Sequence, residues 1–364
     1  MPYLPCGVYH QHYKKDHAWW QTTFVRAKML LLAVIVVVVF PLWADAYLLG
    51  VANMIGYTFL GALGVQLLIG FCGQVTLGHT AFIAVGAYTS TLLILQVPWP
   101  EMLVSNGLVY PLSVVIASLV AGIWSALFGL PSAKVKGFYL ILTTMAAQFI
   151  TVDFIITQYV SQIGGRGQAF SLPPGTIKVG PWTIDDDRKV YFLMVSLVVL
   201  STVAVANLLR TRTGRAWMAI RDNDIAAETM GINIVKYKLY AFLVAGFIGG
   251  VAGAFWVSNL AAISPEHFTW SWSLWLVGVI LIGGVGSIHG TFFGSVFMVV
   301  VMEALTLGVM SLADVYPELL LKLNFVKEAA FGLAICGFLI YEPRGLAYRW
   351  WQIKNYFNLW PFSY

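Results

Sequence analysis

Long apolar stretches recur between residues 29 and 341, and short polar, glycine-rich or proline-rich segments separate them. A run of about 20 apolar residues is long enough to cross a bilayer as an α-helix. The runs do not alternate between apolar and polar residues, as the strands of a transmembrane barrel do. We therefore predict an all-α, polytopic membrane protein with about ten transmembrane helices, some of them broken or re-entrant. The predicted crossings are 29–43, 47–69, 80–97, 108–130, 137–160, 190–209, 237–258, 273–285, 288–310 and 327–341.

Composition supports this fold class and excludes several others. Of the 364 residues, 59% are hydrophobic and only 10% are charged, whereas about a quarter of a soluble protein is charged. The three cysteines, Cys6, Cys72 and Cys336, are far apart and lack metal-ligand spacing, so we interpret them as free thiols. The formal charge of +5 is interpreted by its position along the chain, and no nucleic-acid partner is expected.

The positive charges predict the topology. Lysines and arginines cluster before the first predicted crossing and after the fourth, sixth and tenth. With ten crossings and a cytoplasmic N-terminus, every cluster lies in the cytoplasm, as the positive-inside rule requires. We therefore divide the chain into a cytoplasmic N-terminal segment (1–28), a membrane domain (29–341) and a cytoplasmic tail (342–364). The largest cytoplasmic loop is 210–236.

One polar stretch interrupts the apolar pattern at residues 70–82, where glycines alternate with Gln74, Thr76 and His79. Polar groups at membrane depth are costly unless they face protein or a water-filled cavity. The stretch therefore predicts a broken helix, with Gln74, Thr76, Gly78 and His79 lining a translocation path. The alternative is that these side chains cap the broken helix and form hydrogen bonds within the protein.

A second interruption follows the short crossing 273–285 and contains Gly283, Gly284 and Gly286. Short, glycine-interrupted apolar segments are typical of discontinuous helices in transporters. We predict a second helix break here.

Two carboxylates, Asp153 and Glu303, fall within predicted crossings. Carboxylates inside a membrane are candidates for function by default. They are equally explained as structural pairs or as groups near helix ends.

The loop 210–236 contains an amphipathic pattern in which Trp217, Ile220, Ala227 and Met230 are roughly helically spaced. We predict a short helix over 225–230, capped by one of residues 222–224 and ended by Gly231. Such a helix either docks into a groove on a partner or lies on the membrane surface.

Sites for chemistry are missing from the sequence. It contains no Gly-Lys-Ser/Thr phosphate loop, no His-Glu-x-x-His pair, no Gly-x-Ser-x-Gly elbow and no paired-cysteine motif. We therefore expect a transport subunit without an ATPase site, a metal or a cofactor of its own.

Five segments in order resemble the LivM-type permease subunits of ABC importers for branched-chain amino acids. They begin with residues 73–88 and 131–140, and continue with residues 215–231, 264–268 and 283–287. In the third segment, the resemblance implies a role in coupling to an ATPase for Arg215, Ile220, Ala226, Ala227, Glu228 and Gly231.

The resemblance also implies a set of partners in the bacterial inner membrane. These are a second homologous permease, two ABC ATPase subunits that hydrolyse the ATP, and a periplasmic substrate-binding protein.

The chain departs from the family pattern at Thr76, where serine is usual, and at Arg166, where asparagine is usual. Related permeases carry other amino acids, urea or amides, or aromatic acids. Another alternative is an ion-coupled transporter that uses Asp153, Glu303 or His79.

Overall fold

The computed structural model describes residues 23–135, 137–160, 170–173, 175–312 and 323–359, and these are almost entirely helical. Two antiparallel pairs of two-residue strands complete the fold: β1 (Phe170–Ser171) with β4 (Ala262–Ile263), and β2 (Lys178–Val179) with β3 (Trp182–Thr183). The all-α prediction is confirmed. Arg166 and most of segment 1–28 lie outside the described residues.

The helices are α1 (Val25–Trp43), α2 (Ala46–Phe71), α3 (His79–Gln96), α4 (Glu101–Ser105), α5 (Val109–Lys134), α6 (Phe138–Val160), α7 (Asp187–Arg210), α8 (Arg212–Asp222), α9 (Asp224–Thr229), α10 (Ile234–Leu260), α11 (Trp270–Gly283), α12 (Ile288–Leu312), α13 (Leu323–Tyr341) and α14 (Leu346–Leu359).

Among the described residues, eight helices are long and apolar enough to cross a membrane: α1, α2, α5, α6, α7, α10, α12 and α13. The two remaining predicted crossings fall on α3, which has 18 residues, and on α11, which has 14. An α-helix rises 1.5 Å per residue, so α11 is about 21 Å long and shorter than the bilayer core. Each predicted crossing therefore corresponds to a helix, and the count of about ten agrees with the structure.

The centre of the bundle is α10, which packs against α3 and α5 through glycines. A β-carbon placed on Gly253 would lie 2.1 Å from the carbonyl oxygen of Ile83 in α3. A β-carbon on Gly250 would lie 2.6 Å from the Cα atom of Ser118 in α5. Small residues let helix backbones approach closely in lipid, where no hydrophobic effect drives association. The glycine ladder of α10 therefore serves packing within this chain.

Candidate functional site at the two helix breaks

The first break separates α2 from α3. The last turn of α2, Gln66–Phe71, is a π-helix, and residues 72–78 are irregular before α3 begins at His79. Gly73 has a φ of +72°, a conformation that glycine adopts without a steric penalty. The chain therefore turns back on itself at this point.

The irregular segment runs back into the protein. His79 is fully buried, and its Nε2 atom is 2.3 Å from the position of a β-carbon on Gly64. Gly64 precedes Gly70 by six residues, which is about 9 Å along the helix axis. At the start of α3, the backbone N–H of Thr80 donates to Oγ of Ser273 at 3.0 Å, near the start of α11. Helix α3 therefore begins inside the bundle, next to the first turn of α11.

Helix α6 holds this segment in place. Oγ1 of Thr144 accepts a hydrogen bond from the backbone N–H of Leu77 at 3.2 Å. A β-carbon on Gly78 would lie 1.9 Å from the carbonyl oxygen of Thr144, so no larger residue fits without movement of the backbone. Close backbone packing against α6 thus explains the glycine at position 78.

The polar side chains of this segment are buried, but their hydrogen bonding differs. Oγ1 of Thr76 accepts a long hydrogen bond of 3.4 Å from the backbone N–H of Gly78, within the irregular segment. Among the described residues, Oε1 of Gln74 and both ring nitrogens of His79 have no hydrogen-bond partner. Buried polar atoms usually have partners, so Gln74 and His79 stand out as candidates for binding or conformational change.

The second break is a tight turn. Helix α11 ends at Gly283, and α12 begins at Ile288 after Gly284 (φ +119°) and Gly286 (φ +84°). A β-carbon on Gly283 would lie 2.0 Å from the carbonyl oxygen of Gly290. The glycines therefore allow both the positive φ angles and the close contact between α11 and α12.

The two breaks are in contact, which the sequence did not predict. Nε2 of Gln66 donates to the carbonyl oxygens of Gly284 (3.1 Å) and Ser287 (3.0 Å). A β-carbon on Gly70 would lie 2.7 Å from the backbone nitrogen of Gly286. The end of α2, the end of α11 and the start of α12 thus meet at one place.

Arg221, at the end of α8, joins the 210–236 loop to both breaks. Its Nη1 atom donates to the carbonyl oxygen of Gly70 at 2.8 Å and lies 2.9 Å from the position of a β-carbon on Gly286. Its Nε and Nη2 atoms donate to Asp222 at 3.1 and 3.0 Å. We call the cluster of Gly70, Gly73, Arg221, Gly284 and Gly286 the break junction. In the sequence, Arg221 is one of several positive charges that follow the sixth predicted crossing.

A polar cavity of about 390 Å³ lies beside the break junction. It separates the start of the first break from α6, α8 and α10. The side chains around it include Gln74, Leu140, Arg221, Asp222, Asn223 and Lys238. The cavity is thus lined by both the first break and the 210–236 loop.

The loop itself folds as two short helices, α8 and α9. Oδ1 of Asn223 caps α9 by accepting a hydrogen bond from the backbone N–H of Ala226 at 3.1 Å. Gly231, with a φ of +83°, follows the end of α9. Trp217 is fully buried, and its Nε1 donates to the carbonyl oxygen of Tyr237 at 2.8 Å, so α8 is fastened to α10.

The predicted coupling residues divide into two groups. Ile220 and Ala227 are buried and pack the loop onto the bundle. The exposed members are Arg215, Ala226, Glu228 and Gly231. Two apolar side chains that the pattern did not predict as exposed face outward, Ile225 (68% exposed) and Met230 (82% exposed). Met230 therefore does not share the buried face of Trp217.

The carboxylates within the crossings have different surroundings. Glu303 accepts a hydrogen bond from Oη of Tyr47 at 2.6 Å, whereas Asp153 is exposed on the surface of α6. Within the described ranges, no group of three or more His, Cys, Asp or Glu residues is arranged to hold a metal ion. Cys72 is a free thiol that is fully buried, so it is shielded from solvent.

The sequence profile of one family, described as the permease component of the branched-chain amino acid transport system, matches residues 47–335. The chain belongs to this permease family. The matched region contains both breaks and the α8–α9 loop, and the chain is a membrane-spanning permease component of an ABC transport system.

Several relatives of this permease transport different kinds of substrate. The chain is 28% identical to LivM, the high-affinity branched-chain amino acid permease of Salmonella typhimurium. The aligned region of 301 residues covers 77% of this chain and 68% of LivM. The chain is 27% identical over 245 residues to a probable LivM of Methanocaldococcus jannaschii, covering 65% of this chain and 67% of that protein. It is 22% identical over 304 residues to the ribose import permease RbsC of Haemophilus influenzae, and the aligned region covers 79% of this chain and 85% of RbsC. No solved structure matches the chain.

Proposed function

We propose that this chain is the permease subunit of an ATP-driven importer for branched-chain amino acids in a bacterial inner membrane. A second homologous permease completes the path, a periplasmic binding protein delivers the substrate, and two ATPase subunits hydrolyse ATP. The family profile and the LivM relatives support this assignment. The chain itself needs no cofactor in this proposal.

The hydrogen bond between Arg221 and Gly70 is the observation that carries the mechanism. It connects the loop that would receive movement from an ATPase to the break where α2 ends and the buried segment 72–78 begins. A hydrogen bond from a charged donor is stronger than a neutral one, and a second contact at Gly286 involves α11 and α12. A shift of α8 therefore moves both breaks together, which is how we expect the cavity to open alternately to the two sides.

The exposed side chains of the loop are the surface that we assign to the ATPase. Ile225 and Met230 present apolar surface on the same short segment as the exposed Ala226 and Glu228. Apolar side chains on a short helix are the usual anchors for a groove on a partner. The buried Ile220 and Ala227 instead transmit the force to α10.

The exposed position of Asp153 indicates where the second permease lies. A carboxylate within a membrane-spanning helix is costly when it faces lipid, so such groups face protein or a water-filled cavity. We infer that the second permease, or the path between the two, covers this face of α6. Segment 72–78 lies against the same helix through Thr144, so path and subunit interface are adjacent.

We infer the orientation of the chain in the membrane from contacts at one end of the bundle. A β-carbon on Gly284 would lie 3.1 Å from the carbonyl oxygen of Arg344, just before α14, so the C-terminal helix and the α8–α9 loop share one end of the bundle. That end contains Arg212, Arg215, Arg221, Arg344 and Arg349, which supports a cytoplasmic assignment for it.

The decisive experiment is reconstitution. The tagged chain would be purified in mild detergent with the proteins that accompany it, and ATP-dependent uptake would be measured in proteoliposomes with leucine, ribose and urea. The proposal requires a second permease, ATPases and uptake of leucine. Activity of the chain alone, driven by an ion gradient, would refute it in favour of a secondary transporter.

A paired substitution tests the docking surface. The Ile225→Glu/Met230→Glu variant would leave the chain inserted but uncouple ATP hydrolysis from uptake, because both side chains are exposed and support no internal packing. Ile225→Leu/Met230→Leu is the matched control and retains uptake. Normal uptake by the glutamate variant would show that the ATPase binds elsewhere.

A further inference from the structure

Helix α14 combines aromatic and basic side chains and follows the last membrane-spanning helix after a short turn. Helix α13 ends at Tyr341, and α14 begins at Leu346. Its exposed side chains include Arg349, Trp350, Trp351, Lys354, Tyr356 and Phe357. Tryptophan and tyrosine concentrate at the interface between lipid and water, and helices rich in such residues and in lysine or arginine lie in the plane of that interface.

The position of α14 agrees with such a location. The ring of Trp350 lies 5.7 Å from the ring of Phe293 in α12, and the contact of Arg344 with Gly284 places the start of the helix at the break junction. Helix α14 is thus held against the end of the bundle and continues directly from a membrane-spanning helix.

Two lysines from distant parts of the sequence lie beside Trp350 of this helix. Nζ of Lys28, in α1, lies 5.5 Å from the centre of the Trp350 ring. Lys354 is one helical turn after Trp350, so the two side chains share one face of α14. Burial, and then the charge of Lys28, lower the pKa of Lys354.

A counter-charge for this cluster is missing from the described part of the chain. Neither Lys28 nor Lys354 forms a salt bridge there, and the carboxylate of Glu342 on the preceding turn is paired with Arg349. Like charges repel one another, and an anion bound between two lysines removes this repulsion. The surrounding exposed aromatic residues indicate that this anion belongs to the membrane.

We propose that Lys28, Lys354 and Trp350 bind the headgroup of an anionic phospholipid at the end of the bundle that carries the break junction. The two ammonium groups contact the phosphate, and the indole lies at the level of the headgroup. The lipid joins the first and last helices of the chain, α1 and α14, which are distant in sequence. The inference does not depend on the transported substrate.

Native mass spectrometry of the purified full-length chain tests this proposal. Detergent-solubilised protein would be mixed with phosphatidylglycerol or phosphatidylcholine, and retained lipid would be counted. We expect preferential retention of phosphatidylglycerol. A basic residue near an anionic membrane surface contributes about 1 kcal/mol, so each Lys→Gln change would weaken binding about fivefold.

Control variants separate binding from folding. Lys28→Arg/Lys354→Arg keeps both charges and retains the lipid, as does Lys178→Gln, which removes a lysine from β2. Retention of phosphatidylglycerol by Lys28→Gln/Lys354→Gln at the wild-type level would overturn the proposal, as would equal retention of phosphatidylcholine. Thermal stabilisation by inorganic phosphate alone, equal to that by phosphatidylglycerol, would show a free anion site and would also overturn it.

Discussion

The two helix breaks have similar composition but different structures. Both combine glycines with a histidine, yet the first has seven irregular residues, 72–78, and the second has four, 284–287. The first carries the buried side chains of Gln74 and His79, and Oε1 of Gln74 and both ring nitrogens of His79 lack partners among the described residues. In the second, positive φ angles and short contacts between backbones account for the glycines.

This difference indicates that the first break changes conformation during transport and that the second break supports it. Buried polar atoms without partners are unfavourable in a fixed structure, so their presence in the first break favours a role in another state of the transport cycle. The second break supplies two carbonyl oxygens to Gln66 and a backbone surface to Gly70. Four substitutions test this division, in order of decreasing effect.

Gly78→Ala is expected to have the largest effect. Its β-carbon would lie 1.9 Å from a backbone oxygen in α6, and overpacking of this kind costs about 1–3 kcal/mol and occasionally more. Thermal unfolding in detergent would show a large fall in Tm. Gly308→Ala is the control, because nothing lies within 4 Å of its β-carbon. An unchanged Tm for Gly78→Ala would contradict the close packing of segment 72–78 on α6.

Arg221→Ala is expected to reduce uptake by about tenfold or more, because a hydrogen bond from a charged group contributes about 1.5–3 kcal/mol. The hydrolysis of ATP would continue without transport, since α8 would no longer pull on the first break. Arg212→Ala removes a charge from the exposed start of α8 and serves as the control. Equal loss of uptake in both variants would mean that the loss of a positive charge, and not of the hydrogen bond to Gly70, causes the effect.

Much of the fold could be predicted because it depends on local sequence. Apolar runs indicated the helices, and the asparagine, glycine and apolar residues of 210–236 indicated the cap and the end of α9. The break junction could not be predicted, since Gln66, Arg221 and Gly284 are separated by more than 60 residues along the chain. A single sequence contains no signal for such a contact. In the sequence, Arg221 resembles any other cytoplasmic positive charge. The spacing of Met230 places it on the same helical face as Trp217, but in the structure Trp217 is buried and Met230 is exposed.

Gln66→Leu tests the support that the second break gives. The change leaves the buried carbonyl oxygen of Gly284 without the donor from Gln66, which costs about 1–3 kcal/mol, whereas that of Ser287 still accepts hydrogen bonds from Thr291. Removal of Oε1 of Gln66, which has no partner among the described residues, offsets part of this loss. We therefore expect a moderate fall in Tm. Gln96→Leu, at the exposed end of α3, is the control, and a similar fall there would contradict a specific role for Gln66.

Gly286→Ala is expected to have the smallest effect and to be the most informative. A left-handed conformation costs a residue with a β-carbon about 1–2 kcal/mol. Gly180→Ala measures this strain alone, because Gly180 has a φ of +61° and open space around its β-carbon.

At Gly286 the β-carbon would also lie 2.9 Å from Nη1 of Arg221, the end of a flexible side chain. The guanidinium would move away from Gly70, and uptake would fall more than Tm. If this contact carries the effect, Gly286→Ala would reduce uptake less in an Arg221→Ala background than in the wild type, since residues in contact show non-additive effects. Strict additivity of the two changes would mean that Arg221 acts on the first break alone, and the two breaks would then move independently.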